Sequence, residues 1–273
     1  MTAIEWSPLG LGKHKSSVLA VLTSDNVLSI WECSGRPEVK GDWRRALIVN
    51  HSLGSISSKP ASDEPNIRSR RVRAFCWAPM QFRMGHLPHK SDHYLAVADD
   101  NGTVAILRVR SPYDILATDQ STWHASLGCS FRATTSAIGE NLRISYLTST
   151  QSQRPQFVDQ MSWSPWTFGQ DGVLFSILAF TTSTRLHTTR IRYLPNQPTV
   201  RLDVEAPTRT SIPGMPDMVT GPIRWAPTPT SSDPNMLVFL DNHALWCLRV
   251  SAVTGVQLSH QVFDTQWDRV SGT

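Results

Sequence analysis

The tripeptide Trp-Ser/Ala-Pro occurs four times, as Trp6-Ser7-Pro8, Trp77-Ala78-Pro79, Trp163-Ser164-Pro165 and Trp225-Ala226-Pro227. A recurring unit constrains the fold more than any single motif, because one copy cannot bury its apolar face alone and must stack on its neighbours. Behind each copy comes a pair of apolar runs around a polar turn. The first pair is Val18–Leu22 and Val27–Trp31, the second Tyr94–Ala98 and Thr103–Leu107, the fourth Met236–Leu240 and Ala244–Leu248. The third, Leu174–Phe180 followed by Arg185–Tyr193, has a looser Thr/Ser turn.

Runs of about five residues rich in Val, Leu, Ile and aromatics, flanked by Asp, Asn and Gly, read as hairpin strands. Asn26 and Gly102 fit such turns because tight hairpins need a positive φ. An inner strand ends at each Trp, as in Arg73–Trp77 and Pro222–Trp225, and a weaker outer strand follows the hairpin, as in Ala46–Val49 and Val200–Val204. Four strands per unit is the plan of a propeller blade. No stretch of comparable length carries a helical period.

The motif tryptophans are 71, 86 and 62 residues apart, against roughly 40–45 for a WD40 blade. The excess lies in polar, Pro-rich loops at 50–66, 149–156, 206–217 and 228–235, where length is thermodynamically cheap. The repeat is degenerate: Trp31-Glu32 stands in the Trp-Asp place, and Leu107-Arg108 and Leu248-Arg249 are its equivalents. The expected fold is an all-β, degenerate WD40-type β-propeller. Its blades are expected at about 1–66, 67–150, 151–217 and 218–265, with Trp6, Trp31, Trp77, Trp163 and Trp225 as blade anchors. Residues 266–273 read as the start of a further blade, so the four are expected to belong to a larger ring.

The stretches Trp6–Lys15, Val18–Ser24, Leu28–Glu32 and Trp267–Gly272 resemble the N-terminal propeller domain of the 90-kDa (delta) subunit of general transcription factor IIIC in filamentous fungi. The first three form one nearly continuous match, and elsewhere the similarity is one of blade pattern. The resemblance implies a nuclear protein–protein platform in RNA polymerase III transcription of transfer-RNA genes. Its partners would be the other factor IIIC subunits and the polymerase III machinery, with DNA reached at most indirectly. The resemblance also implies one alternative, the histone acetyltransferase activity ascribed to the family, and the blade pattern taken alone leaves another, a generic WD40 peptide-binding adaptor.

The residues themselves favour the platform. A net charge of +4 and a pI near 9.0 suit an acidic partner without approaching a histone-like excess. Arg68, Arg70 and Arg71, in the densest basic run, form the candidate contact surface, set against a solvated loop or an import tract. They have no interleaved aromatics for base stacking. His86, His89, Asp92 and His93 could ligate a metal, but Pro88 prevents a helix from aligning them. Gly10-Leu11-Gly12-Lys13 has Ser7 where an acetyl-CoA loop needs Arg or Gln, and reads as a turn. The cysteines Cys33, Cys76, Cys129 and Cys247 form no CxxC pair and are expected to be reduced, mostly buried thiols. The N-terminus lacks the basic head and apolar run of a secretory signal, and the longest apolar stretch is too short to span a bilayer. No catalytic residue, cofactor, metal, membrane or small-molecule substrate is expected.

Overall fold

The computed structural model describes residues 2–54, 70–80, 92–113, 122–133, 157–169, 171–183, 185–194, 201–210, 219–226, 235–241, 244–255 and 257–264. Each Trp motif closes the inner strand of a separate antiparallel sheet. The first sheet runs β1 (Ala3–Trp6), β2 (Leu19–Leu22), β3 (Leu28–Cys33) and β4 (Trp43–Ile48), in that spatial order, and leads into a short helix, α1 (Val49–Gly54). The second runs β5 (Val72–Trp77), β6 (His93–Asp99), β7 (Thr103–Arg110) and β8 (His124–Arg132).

The third holds β9 (Val158–Trp163), β10 (Thr167–Phe168), β11 (Leu174–Thr182), β12 (Arg185–Leu194), β13 (Arg201–Val204) and β14 (Thr208–Arg209). Here β9 and β10 pair with successive parts of β11, and β13 and β14 both pair with β12, so six strands fill four lanes. The fourth runs β15 (Arg224–Trp225), β16 (Asn235–Leu240), β17 (Ala244–Val250) and β18 (Gln257–Asp264). Four sheets of four lanes, each led by the same motif, make a degenerate WD40-type propeller arrangement.

The motif is a clip. The Ser7 amide donates to the Val18 carbonyl (2.8 Å), and the Val18 amide donates back to Ser7 Oγ (2.9 Å). Ser164 repeats both bonds with Ile177, each at 2.8 Å. Ala78 and Ala226 keep the backbone half, to the carbonyls of Tyr94 and Met236. The following Pro has no N–H for the ladder and ends the pairing there.

Three apolar junctions hold the sheets together, and strand alternation builds them. On β6, Leu95 and Val97 face the first sheet with Ala20, Leu22, Leu28 and Ile30, while Tyr94, Ala96 and Ala98 face the third with Trp163, Leu178 and Phe180. The third sheet's other face sets Phe175, Ile177 and Ala179 against Leu237, Phe239 and Trp246 of the fourth. Burial on both faces explains why β6 and β11 read as unbroken apolar runs.

Two local features differ from the sequence reading. The third hairpin, the loosest in sequence, is the longest in space: nine residue pairs link Leu174–Thr182 to Arg185–Leu194, turned by Ser183 at φ 47°. The loop expected from residue 50 instead opens with α1, whose Val49 and Leu53 plug the first junction. Buried Asn50 drives this local turn. Its Oδ1 accepts the Leu28 amide (2.8 Å), and its Nδ2 donates to the carbonyls of Asn26 (3.0 Å) and Arg70 (2.6 Å), latching the first sheet to the approach to β5.

Candidate interaction surfaces

The tryptophans expected as anchors divide by position. Trp77 and Trp163 are core residues, 5% and 6% exposed, each packed on the preceding sheet. Trp225 is half-buried, and its Nε1 donates to the Ser162 carbonyl of the third sheet (3.0 Å). Trp31 is half-buried and bonds Ser29 Oγ. Trp6 departs from the anchor role: it is 56% exposed and meets Trp43 at 5.9 Å between ring centroids. The physical reason is stacking order. A motif Trp packs on the sheet before it, and no described residue supplies a sheet before the first.

One face of the first sheet is therefore open, with Ile4, Trp6, Leu19, Val21, Trp31 and Trp43 on it. The fourth sheet has an open face at the other end of the stack, with Met236, Val238, Leu245 and Phe263 exposed or half-buried.

Arg70 and Arg71 of the basic run stand in different environments. Arg68 lies outside the described residues. Arg70 Nη1 pairs with Asp99 Oδ2 (2.9 Å), with Arg70 17% and Asp99 3% exposed. The other Asp99 oxygen accepts the amides of Asn101 (2.9 Å) and Thr103 (2.8 Å) across the β6–β7 turn. Arg70 is thus a structural partner of a buried carboxylate, which removes it from the freely presented contact set. Arg71 is exposed.

A second site emerges from the fold. The residue just before each motif Trp (Glu5, Cys76, Ser162 and Arg224) lines one cavity of about 510 Å³, where the four inner strands meet. Arg73 and Asp159 also line it. Each is the extra residue of a β-bulge: the register skips Arg73 between Val72 and Ala74, and Asp159 between Val158 and Gln160. A bulge re-aims its side chain, and both bulges fall four residues before the motif Trp.

Glu5 links the first two sheets by accepting the Trp77 amide at 3.4 Å. Burial pushes the Glu5 carboxyl up to about 7, opposed by that amide and by Arg224. Burial also raises Asp159, against the pull of Arg73 and the Ser183 amide. It drives the Cys76 thiol well up, reinforced by Glu5. Such a thiol stays protonated and is a poor nucleophile.

The weaker sequence candidates resolve locally. The Gly10–Lys13 segment forms a turn whose amides are spent internally, Gly10 on Lys15 and Gly12 on Ser16, and which runs into β2. Buried Leu11 pins it to the core. A loop with its amides so committed presents no nest for a pyrophosphate. His86 and His89 lie outside the described residues, while Asp92 pairs with Arg108 and accepts the Tyr94 hydroxyl (3.2 Å). All four cysteines are free. Cys76 is buried and the other three are half-buried, less enclosed than expected because they sit at outer lanes or open faces.

The cavity was readable in part: aligning the four motifs places Glu5, Cys76, Ser162 and Arg224 at one equivalent position. Over residues 1–273 the sequence matches the family described as Transcription factor IIIC subunit delta β-propeller domain. No curated protein gives a significant match. The four-lane sheets agree with that family's fold, and the chain belongs to the transcription factor IIIC subunit delta β-propeller family.

Proposed function

We propose that this domain is a protein-interaction platform of transcription factor IIIC, working in the nucleus in RNA polymerase III transcription of transfer-RNA and similar genes. The observation that carries the reading is the family match over residues 1–273. The stacked sheets support it, since they present faces, rims and loops on a scaffold held by three apolar junctions. The partners are other factor IIIC subunits and the polymerase III machinery, with DNA reached through them. In this reading the blades span 1–66, 67–150, 151–217 and 218–265, and Arg68 and Arg71 contribute to contact while Arg70 holds Asp99.

Acetyl transfer gains no support from the Gly10–Gly12 turn, whose amides are already bonded. The test is co-purification of the tagged full chain with the other factor IIIC subunits, alongside calorimetric titration with acetyl-CoA. Retention of the subunits with no acetyl-CoA heat is expected. Saturable acetyl-CoA binding that is lost on Gly10 or Gly12 substitution, without subunit retention, would overturn the platform.

A further inference from the structure

Two arginines reach the axial cavity from different blades, Arg73 on β5 and Arg224 on β15. Arg73 lies over the Phe157 ring, 4.9 Å from its centroid. A guanidinium on an aromatic face keeps the N–H fork at its edge available. Arg224 donates to its neighbour's carbonyl, Ile223 O, at 3.2 Å. Among the described residues neither forms an ion pair. Elsewhere Arg44, Arg70, Arg108, Arg190 and Arg192 each hold a carboxylate.

The cavity's own acids answer this charge without forming an ion pair. Glu5 and Asp159 lie outside ion-pair distance of both arginines, with Arg224 acting on Glu5 and Arg73 on Asp159 only through the longer-range field. Burial disfavours the ionised Glu5 carboxyl, which lessens its repulsion of an incoming carboxylate. The cavity's size falls within the roughly 300–1,000 Å³ of ligand clefts. Two guanidiniums on separate strands suit separate carboxylates, each taken by its own fork of N–H donors.

We propose that the axial cavity binds an acidic segment of a partner protein, whose Asp or Glu side chains are held by Arg73 and Arg224. This rests on the platform reading and adds to it the chemistry of one contact. The mildly basic chain assists the approach of such a segment.

The test is fluorescence anisotropy of a labelled Glu-rich decapeptide, titrated with the full chain, beside a Lys-rich peptide of equal length. The Glu-rich peptide should saturate and the Lys-rich one should not. Arg224→Ala should weaken binding about tenfold, the loss of one charge-assisted contact from an arginine that is exposed in the free chain. Arg249→Ala, exposed on the fourth sheet and outside the cavity, should leave it unchanged. Arg73→Ala removes a packed side chain, so it is read only if its thermal melt matches the parent, with Arg73→Lys as the charge-preserving alternative. Equal binding of both peptides, no saturation by the Glu-rich one, or undiminished binding by Arg224→Ala would each overturn the site. A chain that co-purifies with factor IIIC subunits yet ignores the acidic peptide defeats this inference alone, whereas loss of co-purification with peptide binding intact defeats only the platform.

Discussion

Trp6-Ser7-Pro8 and Trp163-Ser164-Pro165 are the same tripeptide in two environments. Both serines make the same pair of bonds to the next strand, at 2.8–2.9 Å. Yet Trp163 is 6% exposed and Trp6 56%. The local sequence thus sets the clip, while burial of the indole is set by whichever sheet lies in front of it. Trp163 has the second sheet there, with Tyr94, Ala96 and Ile106, and Trp6 has an open face.

This comparison breaks most decisively on the tryptophans themselves. Trp163→Ala should lower unfolding free energy by about 3–5 kcal/mol, the usual cost of emptying a large core site. Trp6→Ala should cost less than about 1 kcal/mol, as exposed substitutions do. Urea unfolding of the two variants checks this, and equal losses would mean that the first sheet's open face is covered in solution. Since Trp163 Nε1 has no bonding partner among the described residues, Trp163→Phe should recover much of the loss.

A second contrast concerns the neighbouring arginines Arg70 and Arg71. Arg70→Ala leaves the Asp99 carboxylate buried with its two amides and no cation, and should cost about 2 kcal/mol. Arg71→Ala should stay within about 0.5 kcal/mol. Thermal melts of the two single variants decide the matter, and indistinguishable midpoints would make the Arg70–Asp99 pair a surface ornament.

What could be read in advance follows from range. Hairpins β2–β3, β6–β7, β11–β12 and β16–β17 were legible because paired apolar runs and the turn between them sit within some twenty positions. The bulges at Arg73 and Asp159 were not, since a bulge is a mismatch between two strands and leaves no mark on either alone. The Arg70–Asp99 pair spans 29 positions, so nothing local separates Arg70 from Arg71. Asn50 was hidden for a similar reason. A polar residue at a loop start looks solvated until its three backbone partners come together from Asn26, Leu28 and Arg70.

The serines offer a control in which the comparison should vanish. If the clip is local, Ser7→Ala and Ser164→Ala should each cost about 1 kcal/mol for the buried amide that loses its acceptor, with a modest addition at Ser164, whose Oγ also meets Ser176 Oγ at 3.0 Å. Ala78 and Ala226 show that the backbone half survives without the hydroxyl. A loss at Ser164 several times that at Ser7, by urea unfolding, would tie the clip to the packed junction instead.

The smallest expected effect separates the open end from the interior by pH. Glu5 sits on the first inner strand, facing Trp77 and Cys76 of β5 and Arg224 of β15, and burial raises its carboxyl from 4.5 to about 7. The native state therefore holds the Glu5 proton more tightly than the unfolded chain does. Between pH 4.5 and 7 the folded form binds more protons, so unfolding free energy falls as pH rises. The contribution is complete below about 4.5 and is lost as pH rises through about 7. Cys76 does not blur this window, because its thiol titrates well above it. Glu5 is half-buried beside an open cavity, which screens the penalty to about 1 kcal/mol or less. Glu5→Gln keeps an acceptor for the Trp77 amide and removes the titration. The variant should match the parent near pH 4.5 and exceed it in stability at pH 8, measured by urea midpoints across that range. A parent whose stability rises with pH relative to Glu5→Gln would show instead that Arg224 holds Glu5 ionised, making the two an ion pair across the axis.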